Sequence, residues 1–227
     1  MSLLLVRHAQ ASYGAANYDQ LSPMGWEQAG HLGRYLAASP HRFAQVRVGA
    51  MRRHRETLSA IQQGFADADI AMPAAEEDSD LNEFDHEAVI RAYLQQRADA
   101  GMRERAASKD LRIVGPMLLA ALSAWAAGEL ESIPEPWAVF GDRVARAGQS
   151  AADAGREGEV LVVSSGGVIS RLAQQALDVP PPRAVELNLA IRNASINEFS
   201  PSHGRLRLGS FNTLPHLAAH RALWTHF

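Results

Sequence analysis

The chain has 227 residues, 47% hydrophobic and 21% charged, with a formal net charge of -3 and a pI near 6.3; such a chain can bury a substantial core and lacks the general basic field that nucleic-acid binding needs. It has no cysteine, which excludes disulfides, thiolate metal sites and cysteine nucleophiles, and a reducing, cytoplasmic location is expected. The longest apolar run, Met117 to Ala127, is well short of the roughly 20 residues that cross a bilayer, and the start lacks the charged and apolar regions of an export signal, so neither membrane nor nucleic acid is expected as a partner.

Leu3 to Val6 is an apolar run too short for a helix and reads as a buried strand that ends directly on Arg7 and His8. Ser22 followed by Pro23 starts a helix, with Trp26, Ala29, Leu32 and Leu36 recurring at helical spacing. Residues 45–50 form a short strand, and Leu58, Ile61 and Phe65 mark the inner face of the helix after it. From about 84 to 136 the texture is helical throughout, and this stretch is expected to be an insertion covering one edge of the sheet. Trp137, Phe140, Val144 and Ala151 carry the next helix. Residues 159–165 give a strand feeding a helix from about Val168 to Leu177, which the prolines at 180–182 stop. Residues 194–200 and 205–211 read as a closing hairpin. Alternating strand and helix imply an α/β fold, a three-layer α/β/α sandwich with a mostly parallel central sheet, in a single domain over 1–227.

In such sheets ligands gather at the carboxyl ends of the strands. Three groups fall there: Arg7 with His8; Arg53 at a helix start; and the turn Ser164, Ser165, Gly166 and Gly167, whose backbone N–H groups and helix dipole favour an anion. Singly, each has an ordinary structural reading: a solvated histidine, a helix face for Arg52, Arg53 and Arg55, a glycine-rich turn. Together they describe a phosphate pocket.

The same segments resemble, in order and over nearly the whole chain, the histidine phosphatases, the superfamily that also holds the phosphoglycerate mutases, and the likeness is to its phosphatase branch. "VRHA" (6–9) is similar to the family's arginine-histidine signature, with Ala9 where glycine is commoner. "LSPMGWEQAGHLGRYL" (21–36) is similar to its next segment. "GAMRRHRETL" (49–58) resembles the segment carrying a second phosphate-binding arginine; Thr57, four residues on, selects Arg53, while Gly49 and Met51 replace the usual serine and leucine. "DLNEFD" (80–85) resembles the acid segment and nominates Glu83 over Glu76, Glu77, Asp78, Asp80, Asp85 and Glu87. The resemblance implies that neutral His8 attacks phosphorus, that Arg7 and Arg53 hold phosphoryl oxygens, that Glu83 is the general acid and base, and that no metal or other cofactor is needed.

The family's second histidine, after its fourth core strand, corresponds here to Ser165 in "VVSSGGVIS". A hydroxyl can donate one hydrogen bond to a phosphoryl oxygen, and Gly166 at the helix start remains, but a charged donor is lost, which is expected to weaken catalysis without abolishing it. His54, His86 and His203 are candidates to reach in from elsewhere. The expected activity is metal-independent hydrolysis of a phosphomonoester, a small phosphorylated molecule or a phosphoprotein, through a phosphohistidine on His8. The alternatives are a noncatalytic or weakly active phosphate-binding regulator and, disfavoured because residues 9–20 lack tryptophan, a mutase. Gln10 and Ser12 are candidates for substrate contacts above the phosphate. Arg91, Arg97, Arg103 and Arg105 read first as a solvated helix face and second as a site for another anionic group.

Overall fold

The alternation of side chains along the first strand decides how the layers assemble. In the computed structural model, which describes residues 2–12, 19–99, 101–102, 111–202 and 204–226, strand β1 (Leu3–Arg7) sends Leu3 and Leu5 into one core and Leu4 and Val6 into the other, as a period of two requires of a strand buried on both faces. The other strands are β2 (Phe43–Val48), β3 (Ala75–Glu77), β4 (Glu159–Ser164), β5 (Ile196–Ser202) and β6 (Arg205–Thr213). They form one sheet in the order β3-β2-β4-β1-β5-β6. The first four in that order run parallel, β5 is antiparallel to β1, and β6 is antiparallel to β5.

Helices α1 (Pro23–Ala38) and α2 (Arg52–Asp67) cover the face of Leu4 and Val6. On the other face the core gathers Leu3, Leu5, Val160 and Val162 with side chains from α3 (His86–Arg97), α4 (Leu111–Ala126), α5 (Trp137–Ala154), α6 (Gly166–Leu177) and α7 (Pro181–Ala190). The fold is the α/β sandwich the sequence implies. The helical stretch after Phe84 differs from expectation in its placement. Val89 of α3 and Ala121, Leu122 and Trp125 of α4 are buried in the core of that face, whereas the edge strands are β3 and β6. Trp26 is 43% exposed: on a helical wheel it falls to one side of the stripe made by Ala29, Leu32 and Leu36.

Ser22 caps α1, its Oγ accepting from Gly25 N at 3.0 Å, and Pro23 fills the first turn. α6 ends at Leu177 on Asp178 in the left-handed conformation, ahead of the prolines, and the prolines begin α7, because a proline at the first helical position forfeits no internal hydrogen bond. Where α1 crosses α2, Gly33 and Gly64 let the two backbones touch. A Cβ on Gly64 would overlap the Gly33 carbonyl carbon and lie 2.7 Å from Arg34 N. Gly64→Ala is therefore expected to cost about 1–3 kcal/mol or more, read as a lowered urea midpoint at constant m-value. An unchanged midpoint would mean that the helices separate freely.

Candidate functional site

Parallel pairing brings the site together. The β1–β4 register sets Arg7 beside Ser164, so the next residues, His8 and Ser165, leave the sheet side by side. His8 N donates to Ser164 O at 2.8 Å, and Gly49 N, at the end of β2, donates to Val163 O at 3.0 Å. Three strand ends thus converge where α2 and α6 begin.

His8 is 4% exposed. Its Nδ1 lies 2.8 Å from Ala9 O, a carbonyl that can only accept, so Nδ1 carries the proton and Nε2 the lone pair. Arg53 Nε, itself a donor, approaches that lone pair at 3.2 Å. Burial, then Arg53, Arg7 and His54 in turn, hold the His8 pKa well below its ordinary value, against the weaker opposing pull of the Ala9 carbonyl. The ring is a neutral base at pH 7. The backbone around it is fixed as well: Ala9 N donates to Thr57 Oγ1 at 3.0 Å, Thr57 Oγ1 donates to Arg53 O at 2.7 Å, and Ala194 N donates to His8 O at 3.2 Å.

Among the three arginines of α2 the structure separates one. Arg53 is buried, with its NH1 on Asp19 Oδ1 at 2.7 Å. Arg52 pairs with Glu56 and Arg55 with Glu77 at the surface. Arg7 NH1 donates to Ile191 O at 2.5 Å, and Gly166 packs close beside it, where a Cβ would lie 2.7 Å from Asn188 Oδ1. Glu83 reaches the same helix start: its Oε2 accepts from Gly167 N at 3.1 Å and its Oε1 from Phe84 N at 3.3 Å. The neighbouring acids have other work. Asp78 and Asp85 cap helical turns, Asp80 pairs with Arg146, and Glu76 and Glu77 pair with Arg47 and Arg55.

His54 is fully buried, and its Nε2 lies 2.6 Å from Ser165 Oγ. His86 opens α3, and His203 lies outside the described residues, as do Arg103 and Arg105. The Gln10 amide donates to Gln28 Oε1 and its side chain accepts from Ser22 Oγ; Ser12 N donates to Gln20 O. Those bonds tie the two residues to the α1 side of the loop. Arg91 borders an open groove on α3, and Arg97 pairs with Glu129 at 3.3 Å. Two site neighbours carried no signal in the sequence. Asp19 closes a segment without periodicity, and buried Gln28 joins the loop after β1 to the carboxyl-terminal segment through Leu223 O and Thr225 Oγ1. Among the described residues no group of three His, Asp or Glu is arranged to hold a metal ion, and no helix is long and apolar enough to cross a membrane.

Burial pushes His54 down to about 3, helped by Arg53, and it also pushes His216 down to about 3, helped by His31. Both rings fold neutral, whereas the unfolded chain protonates them below about pH 6.5. The unfolded state therefore binds more protons between pH 6.5 and 3, and each ring costs up to about 1.4 kcal/mol of stability per pH unit of acidification. The melting temperature is expected to fall steadily from pH 7 to pH 5, and less steeply in His216→Phe, because neither nitrogen of that ring has a hydrogen-bond partner. A flat profile in the parent protein would contradict the neutral burial of these rings.

Comparison with known proteins bears on the fold and the family. The family model for the histidine phosphatase superfamily (branch 1) matches residues 3–214. Among solved structures, a phosphoserine phosphatase from Entamoeba histolytica shares 17% identity, with 95% of this chain and 98% of that one covered and a TM-score of 0.65. A phosphoglycerate mutase from Bacillus anthracis shares 19%, covering 96% and 95%, with a TM-score of 0.65. A mycobacterial glucosyl-3-phosphoglycerate phosphatase shares 19%, covering 93% and 98%, with a TM-score of 0.63. The comparison with curated proteins gave no match.

Proposed function

Because the chain belongs to the histidine phosphatase superfamily, branch 1, we propose that it is a phosphomonoesterase acting on a small organic phosphate or a phosphoprotein in the cytoplasm, with His8 as nucleophile and no metal required. The observation that carries this reading is the state of His8: a buried neutral imidazole whose Nδ1 is tied to Ala9 O and whose Nε2 lone pair faces Arg53.

In the first step His8 Nε2 bonds to phosphorus as the ester P–O bond breaks. Glu83, entering as the carboxylic acid, gives its proton to the departing alkoxide. In the second step the Glu83 carboxylate takes a proton from water while the water oxygen bonds to phosphorus and the N–P bond breaks, which restores both residues and releases phosphate. Arg7 and Arg53 hold the phosphoryl oxygens and offset charge as it develops in the transition state. For substrate to reach Nε2, the Arg53 guanidinium exchanges its contacts with His8 and Asp19 for phosphoryl oxygens. The amide of Gly166 completes the cradle; the Ser165 hydroxyl donates to His54 Nε2 instead, because the proton of that ring faces the Gly49 carbonyl.

Turnover of p-nitrophenyl phosphate and a panel of phosphorylated metabolites tests the reading, with Ser165→His in parallel. Hydrolysis by the parent protein is the expected result. No turnover by the parent on any substrate, with activity appearing only in Ser165→His, would identify a phosphate-binding protein instead.

A further inference from the structure

Arg53 is the guanidinium assigned to the phosphoryl group, and in this structure it holds an anion of the protein's own, the side chain of Asp19. Arg53 NH1 donates to Asp19 Oδ1 at 2.7 Å, and the second carboxylate oxygen, Oδ2, accepts from Arg52 N at 2.8 Å. Arg52 opens α2, and the residue before it, Met51, gives that helix no side-chain cap. One carboxylate thus spans a buried guanidinium and a helix-start amide, two kinds of donor that suit a phosphoryl group equally well.

The backbone that delivers Asp19 is stitched in place. Ser12 N donates to Gln20 O at 2.8 Å, Ala11 and Leu21 form an antiparallel bridge, and Leu21 N donates to Glu56 Oε2 at 2.6 Å. Glu56 Oε1 in turn accepts from Arg52 Nε at 2.6 Å, so the residues just after Asp19 are tied both to the loop after β1 and to the first turns of α2. The two partners differ in exposure: the Arg53 side chain is 4% exposed and that of Asp19 is 37%. A carboxylate at the edge of water can trade its bond for hydration, whereas a buried guanidinium left without an anion is strongly unfavourable. The contact is therefore given up from the Asp19 side, when another anion takes its place on Arg53.

We infer that Asp19 is a resident competitor for Arg53: its carboxylate keeps the buried guanidinium paired between turnovers, yields it to the phosphoryl group, and by taking it back sets how loosely substrate and product phosphate are held. It is a positioning residue, since it acts on the phosphoryl group through Arg53. The inference rests on the phosphoryl-pocket reading above, and it carries a sign that a merely structural contact would not give. Loss of the Asp19 charge tightens phosphate binding, whereas loss of a structural support for Arg53 would loosen it.

The test is the affinity for inorganic phosphate, measured by calorimetry in a double-mutant cycle of Asp19→Asn and Arg53→Ala, with kcat and KM on p-nitrophenyl phosphate alongside. Asp19→Asn is expected to lower the dissociation constant of phosphate about 10-fold, and KM with it, with a smaller change in kcat. In the Arg53→Ala background, where phosphate binds more weakly, the same substitution is expected to recover little of the affinity. Unchanged or weaker binding by a folded Asp19→Asn, or equal tightening with and without Arg53, overturns the inference. Because Asp19 also takes the Arg52 amide, thermal melting checks each variant. Should Asp19→Asn not fold, Asp19→Ser, which keeps a short neutral acceptor, decides by the same sign. If the parent protein turns over nothing, tightening that depends on Arg53 keeps the inference while refuting hydrolysis. If no protein of the cycle binds phosphate, the pocket reading and the inference fall together.

Discussion

Replacing His8 with alanine is expected to lower phosphomonoester turnover at least about 10³-fold while leaving a folded protein. The loss is large because no other described nucleophile has the same placing. His54, the nearest comparable ring, spends its Nε2 on Ser165. The fold should survive, since among the described residues the His8 side chain bonds its own neighbour's carbonyl and Arg53, and the latter keeps Asp19. Turnover in His8→Ala within about 10-fold of the parent would remove the imidazole from the mechanism as its covalent nucleophile. The pH profile offers a companion reading. With the His8 pKa held well below 6.5 by burial and by Arg53 and Arg7, the acid limb of kcat/KM should lie below the ordinary imidazole range.

Gly167→Ala should cost about 10²- to 10⁴-fold in kcat, as much as Glu83→Gln. Gly167 lies within α6, where alanine is intrinsically the better helix former, so the backbone itself gains from the change. The harm comes from space. A Cβ at 167 would overlap Glu83 Oε1 and lie 2.7 Å from the Phe84 ring. Either the carboxylate leaves its bond to Gly167 N or the buried Phe84, which packs on Trp125 with ring centroids 4.5 Å apart, is pushed out of the core. The double variant Gly167→Ala/Glu83→Gln should be no slower than Glu83→Gln, because both remove the same proton donor. Parental turnover in a stable Gly167→Ala would show that the acid is another group.

The sequence made most of the scaffold legible because most of it is periodic. The apolar run of β1, the buried run of β4, the stripes of α1 and α2 and the alternation in β6 all carry their own signatures. β3 carried none: Ala75, Glu76 and Glu77 are all exposed, and they are held as a strand by pairing with β2 alone at the sheet edge. α7 was hidden by its prolines, which look like a stop signal and act as a start. Within the site, motif spacing singled out Arg53, and burial separates it physically from Arg52 and Arg55. The partner of Ser165 was not legible. His54, His86 and His203 were equivalent in the linear chain, and only the meeting of the α2 start with the end of β4 distinguishes His54. Gly49 was the one available hint, a residue smaller than the serine expected there, and its meaning emerges only with the imidazole packed against it.

Passage of the phosphoryl group through His8 is tested most directly by rapid acid-free quenching with a labelled phosphomonoester, followed by mass mapping of the phosphorylated residue. The predicted result is an acid-labile phosphoramidate on His8 that forms in the parent protein, accumulates in Glu83→Gln and is absent from His8→Ala. Label on a serine, on another histidine, or on no residue while hydrolysis proceeds would contradict it.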